Sequence, residues 1–131
     1  MEFALDSGLS YTNVKTVQEK MLASRFGSGD LKVLSTPVMI GFIEEAALKA
    51  VDDKLPEGYK TVGYNVDINH LAPTPLGMEV RAEARLNKIE DRKLFFEVQV
   101  YDEKEKVGEG NHIRYIVNKE KLEKRAESKI D

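Results

Sequence analysis

Three observations predict an α+β fold in which one long helix lies across an antiparallel sheet. One helix-length apolar segment runs from about residue 37 to 54, the chain after Gly58 carries strand patterns, and those strands are joined largely by short turns. With 131 residues the chain is expected to form one domain with a real core, residues 1–131, ending in a charged tail over 119–131.

The elements follow in order. Residues 11–18, with Tyr11, Val14, Val17 and threonines, suit a short first strand. Residues 21–34 are irregular, with Phe26-Gly27-Ser28-Gly29-Asp30 as a flexible loop between apolar residues, a surface flap able to pack as a lid. Ser35-Thr36-Pro37 is a helix-start signal: a hydroxyl residue for the cap, then proline where a missing N–H costs nothing. The helix stops before Pro56-Glu57-Gly58. Residues 61–71 form the next strand. In 78–86, Met78, Val80, Ala82, Ala84 and Leu86 turn inward against charged Glu79, Arg81, Glu83 and Arg85. Residues 93–101 repeat the pattern with Leu94, Phe96, Val98 and Val100 on one face. In 107–117, Gly108 and Gly110 suggest a bulge. Ala72-Pro73-Thr74-Pro75-Leu76-Gly77 reads as a rigid turn, and the tail as a solvated helix.

Composition excludes several functions. With 41% hydrophobic and 33% charged residues the chain reads as soluble and globular. A net charge of -3 without a basic cluster argues against a nucleic-acid partner. The absence of cysteine excludes disulfides, thiolate metal sites and a cysteine nucleophile, and fits a reducing compartment, with the cytoplasm as the default. The N-terminus has neither the basic start nor the apolar core of a signal peptide, and no run is long enough to span a membrane. Two histidines, His70 and His112, are too few for a histidine-rich metal site, so no metal is expected.

Two polar residues fall where apolar ones belong. Val62, Tyr64, Val66, Ile68 and His70 share one parity, so a strand of period two presents them on one core face that ends in an imidazole. On a helical wheel Glu45 falls beside Lys49 and Asp52 on the polar stripe, whereas Glu44 falls among Ile40, Leu48 and Val51. A carboxylate there needs hydrogen-bond partners, a cavity or a proton. If the helix lies across the sheet, Glu44 and His70 project into the same layer, with Thr36 near it at the helix start. Taken singly, each has a plainer reading: a rim glutamate, a structural histidine, an ordinary cap. Together, a histidine and a carboxylate can activate water, and a helix N-terminus can stabilise an oxyanion. These are parts for acyl-transfer hydrolysis, and a thiol, with a pKa near 8.5, leaves with little help. Gly41 and Gly63 allow close backbone approach or are merely tolerated. His112 and Arg114 share a parity, the arginine suited to a carboxylate, a phosphate or a neighbouring glutamate.

In order and spacing, five segments resemble a known family: Ser35-Thr36-Pro37 leading into a helix with Glu44, Thr61-Val62-Gly63, Asn69 through Gly77, Asp91-Arg92-Lys93-Leu94, and Gly108-Glu109-Gly110-Asn111-His112-Ile113-Arg114. The family is the hotdog-fold acyl-CoA thioesterases, in particular the group around fluoroacetyl-CoA thioesterase, and the likeness covers most of 14–117. It implies a hotdog fold, an antiparallel five-stranded sheet wrapped around one long central helix. It implies a homodimer or higher oligomer binding a small acyl-CoA near the subunit interface, with CoA thioester as substrate and no further cofactor. The implied catalytic set is Thr36, Glu44 and His70: His70 as acid/base, Glu44 as nucleophile or water-orienting base, Thr36 positioning Glu44 or the acyl oxygen. Gly63 and Arg114 are implied to contact substrate. The family's phenylalanine-rich lid is reduced here to Phe26, so a short-chain or otherwise small acyl group is expected rather than fluoroacetyl in particular. The alternative is a non-catalytic acyl-CoA binding or sensing module.

Overall fold

A computed structural model describes residues 3–130; Met1, Glu2 and Asp131, at the ends of the expected domain and tail, lie outside the described residues. Five strands, β1 (Ser10–Thr16), β2 (Tyr59–His70), β3 (Glu79–Glu90), β4 (Lys93–Tyr101) and β5 (Lys106–Asn118), form one antiparallel sheet ordered β1-β3-β4-β5-β2. The helices are α1 (Ala23–Phe26), α2 (Thr36–Val51) and α3 (Lys119–Glu127). The expected architecture, five antiparallel strands around one long helix, is the one observed. Sequence neighbours β3, β4 and β5 pair directly, as short turns require.

Helix α2 buries Met39, Phe42, Ile43, Ala46, Ala47, Ala50 and Val51 at three- and four-residue spacing. Opposite stand Val80, Ala82, Ala84 and Leu86 of β3 and Leu94, Phe96, Val98 and Val100 of β4, all buried. Full burial of each large side chain contributes about 1.5–3 kcal/mol. The cap of α2 is Ser35, whose Oγ accepts from the Val38 N–H at 3.3 Å. Thr36 is therefore the first helical residue, and its hydroxyl is free for another partner. At the other end α2 stops at Val51, and a 3-10 turn over Asp52–Lys54 leads to Pro56.

β2 departs from the expected single parity. Its register with β5 shifts between Gly63 and Asn65, leaving Tyr64 in a bulge. Val62 lies opposite Tyr115, and Tyr64 is 60% exposed beside it, both away from α2. Thr61 and Gly63 face α2 before the bulge; Val66, Ile68 and His70 face it afterwards. In β5 the bulge falls at Val107, where the β4 register moves from Gly108 to Lys106, just before the two glycines.

The flap is tied at its base. Leu22 and Leu34 form a bridge, the Ala23 N–H donates to the Val33 carbonyl at 2.8 Å, and the Ser35 N–H to the Met21 carbonyl at 2.9 Å. The proline-rich turn does anchor the structure: buried Thr74 donates to Asp102 at 3.0 Å, and its carbonyl accepts the Leu34 N–H at 2.8 Å. One corner thus holds the flap, the end of β2 and the β4–β5 turn.

Candidate active site

The first part of the site lies at the start of α2. The bulge and the remaining length of β2 bring His70 beside Thr36, with His70 Nδ1 2.7 Å from Thr36 Oγ1. His70 Nε2 is buried and has no hydrogen-bond partner among the described residues. Burial lowers the His70 pKa below the ordinary imidazole value, opposed by the Ala72 backbone. Both residues line a cleft of about 430 Å³ closed on one side by Ala23, Ser28, Gly29, Asp30 and Leu31 of the flap. At the N-terminus of α2, Ser35 holds the N–H groups of Val38 and Met39 and Pro37 has none, which leaves the N–H of Thr36 as the donor without a partner among the described residues.

The second part is centred on Glu44. Its side chain is 41% exposed rather than enclosed, with Oε2 3.9 Å from Arg114 Nη1. It lies directly over Gly63, where an added Cβ would stand 2.6 Å from Oε2. Hence Gly63 is there for close approach. A Cβ added at Gly41 would meet nothing within 4 Å among the described residues, so no close contact within them accounts for this glycine. Glu45, expected on the water side, is half-buried in a polar cluster with Lys15 at 3.1 Å, Lys49 at 3.4 Å and Asn13 at 2.6 Å. The Lys15 hydrogen bond is the chief reason its pKa falls below 4.5.

Arg114 is 4% exposed, and a buried guanidinium demands acceptors. Its Nε donates to Thr61 Oγ1 at 2.8 Å, its Nη2 to the Thr61 carbonyl at 3.0 Å, and its Nη1 lies 3.2 Å from His112 Nε2. Thr61 in turn donates to Asp52 Oδ1 at 2.5 Å. Burial lowers the Arg114 pKa, and the charges of Asp52 and Glu44 oppose that. Asp52, Thr61 and His112 did not stand out as site residues in the sequence. The alternation of His112 and Arg114 was visible, but the bulge that brings Thr61 to them was not.

The expected site residues therefore form two groups. Thr36 pairs with His70, not with Glu44; Glu44 gathers with Gly63 and Arg114. Along α2, eight residues separate Thr36 from Glu44, about 12 Å of helix. No hydrogen bond or ion pair joins Glu44 to Thr36 or His70 among the described residues.

The sheet wrapped on one helix places the chain among the hotdog-fold proteins. A solved hot-dog-like protein from Thermanaerovibrio acidaminovorans superposes with a TM-score of 0.87 at 25% identity, covering 98% of this chain and 94% of that one. The solved fluoroacetyl-CoA thioesterase FlK superposes with a TM-score of 0.90 at 25% identity, covering 98% and 99%. The family model described as fluoroacetyl-CoA-specific thioesterase matches residues 17–120. The fluoroacetyl-CoA thioesterase of Streptantibioticus cattleyicolor is 31% identical over 98 residues, 75% of this chain and 70% of that relative. This chain belongs to that thioesterase family and is an acyl-CoA thioesterase.

Proposed function

We propose that the protein hydrolyses short-chain or otherwise small acyl-CoA esters at a site made by Thr36, Glu44 and His70, with Gly63 and Arg114 contacting substrate. The observation that carries this reading is the buried Nε2 of His70, unpartnered among the described residues, while Nδ1 is held by Thr36. With Nδ1–H donating to Thr36 Oγ1, the Nε2 lone pair is left to take a proton from water and return it to the leaving thiolate. Thr36 thus positions His70. The cleft is small, and its apolar lining of Ala23, Leu31, Val33, Leu34 and Ala72 suits a short acyl chain. Of the flap phenylalanine, Phe26, 53% of the surface is exposed.

Glu44, as nucleophile or as the base that orients water, stands with Arg114 too far from His70 for one chain to unite them. The outer edge of β2 carries no strand among the described residues, and such edges invite pairing. Two copies joined antiparallel along β2, with a twofold axis at Asp67, would set His70 of one opposite Gly63 of the other across the Tyr64 bulge. The Thr36–His70 pair would then meet Glu44 and Arg114 of the second copy. A homodimer is therefore part of this reading.

The test is free-thiol release by the purified protein across an acyl-CoA panel, beside Glu44→Ala and His70→Ala. Release confined to small acyl groups and lost in both variants is the expected result. Binding without thiol release, or full rate in both variants, would sink it. Entry of oxygen-18 from water into Glu44 during turnover marks the covalent acyl-glutamate route.

A further inference from the structure

His112 is fully buried, with both ring nitrogens engaged. Nδ1 lies 2.8 Å from the Asn65 carbonyl, which only accepts, so Nδ1 carries the hydrogen. Nε2 lies 3.2 Å from Arg114 Nη1, which only donates, so Nε2 presents its lone pair. These two bonds require one neutral tautomer of the ring. Burial also lowers the His112 pKa, with Arg114 adding to the effect and the Asn65 backbone opposing it.

The consequence lies in Arg114. Nε and one Nη2 hydrogen are committed to Thr61, which Asp52 braces, and one Nη1 hydrogen is committed to His112. The other Nη1 hydrogen is left facing Glu44 across 3.9 Å, beyond hydrogen-bond length. Without the His112 acceptor, Nη1 would be drawn onto the carboxylate and the two charges would close into a direct ion pair. Asn65 follows the Tyr64 bulge, so the same ring also braces the turn of backbone that sets Gly63 beneath Glu44.

We propose that His112 is a positioning residue of the thioesterase site: it holds Arg114 apart from Glu44, so that an Nη1 hydrogen stays available to the substrate carbonyl as negative charge develops on it. This rests on the placing of Glu44 and Arg114 in the site. His112 itself touches no reacting atom.

Two conservative variants separate its two bonds. His112→Gln would put an amide oxygen near the place of Nε2 and keep an acceptor for Arg114. His112→Asn keeps a donor for the Asn65 carbonyl and removes that acceptor. On an acyl-CoA turned over by the wild type, His112→Asn is expected to lower kcat about 10- to 100-fold with KM changed less than about threefold, the loss of a hydrogen bond to a charged group. His112→Gln is expected to recover all but about threefold of kcat. In an Arg114→Lys background, His112→Asn should cost nothing more, because it acts through the guanidinium.

Equal losses in the two variants, losses that follow the thermal midpoint, or full multiplication in the double variant would overturn the positioning role. If Arg114→Lys loses rate while His112→Asn keeps it, only the role of His112 falls. If Arg114→Lys keeps full rate, the placing of Arg114 falls, and the role of His112 with it.

Discussion

Gly63→Ala separates function from stability most sharply. The added Cβ would stand 2.6 Å from Glu44 Oε2, whereas ordinary contact begins at 3.4 Å, so the carboxylate must retreat by about 0.8 Å. The other neighbours, His112 Cε1 at 3.6 Å and Arg114 Nη1 at 3.8 Å, are already at ordinary contact distance. What must move is the tip of a flexible, partly exposed side chain, and Gly63 has no positive φ that alanine would strain. Fewer unfolded conformations for alanine should contribute about 0.4–1 kcal/mol to stability, enough to offset the displacement. Catalysis is less forgiving: a misplacement near 1 Å costs on the order of 100-fold. The expected outcome is a thermal midpoint unchanged or slightly raised, with kcat for thiol release down about 10- to 100-fold. Unchanged kcat would refute the need for Glu44 at that position. A collapsed midpoint would refute the reading of the gap as a soft contact.

The adjacent hydroxyls at the start of α2 should behave oppositely. Ser35→Ala removes the cap and should cost about 1 kcal/mol, or about 3–5 °C in midpoint, with kcat little changed. Thr36→Val removes the partner of His70 and should lower kcat by about tenfold or more, with Thr36→Ser recovering it; equal kinetic effects of Ser35→Ala and Thr36→Val would contradict the assignment. For pH, His70 and His112 both have pKa values lowered from 6.5, chiefly by burial. The unfolded chain then binds more protons below pH 6.5, so stability is full above that value, falls as pH drops toward the folded pKa values, and levels off beneath them. Glu45 adds nothing in that window, since its stabilising effect is present above 4.5 and lost only as pH falls through its lower folded value. Midpoints measured from pH 7.5 to 5.5 should decline, less steeply in His112→Gln; a flat wild-type profile would count against both shifts.

The fold was largely legible because its main elements carry strong periodic patterns. β3 and β4 alternate with a period of two, and α2 opens at Ser35-Thr36-Pro37 and closes before Pro56. The site was legible only in part. His70 at the end of an apolar strand and Glu44 away from the polar stripe were both visible, yet the wheel placed Glu44 in an enclosed layer, whereas it is part-exposed over Gly63. Parity carried along β2 put Tyr64 in the core, and the bulge turns it outward.

From the residues alone came what depends on near neighbours: the strand and helix periods, the proline stops, the hydroxyl-proline start, and an imidazole out of place. Tertiary structure decided which hydroxyl caps α2 and which holds His70, where β2 changes parity, and that within one chain Glu44 lies beside Arg114 rather than His70. Those outcomes rest on bonds between distant segments, Asn65 with His112, Thr61 with Arg114 and Thr36 with His70. A local pattern says which face a side chain takes within its own element. Only the docking of elements says which other side chain meets it there.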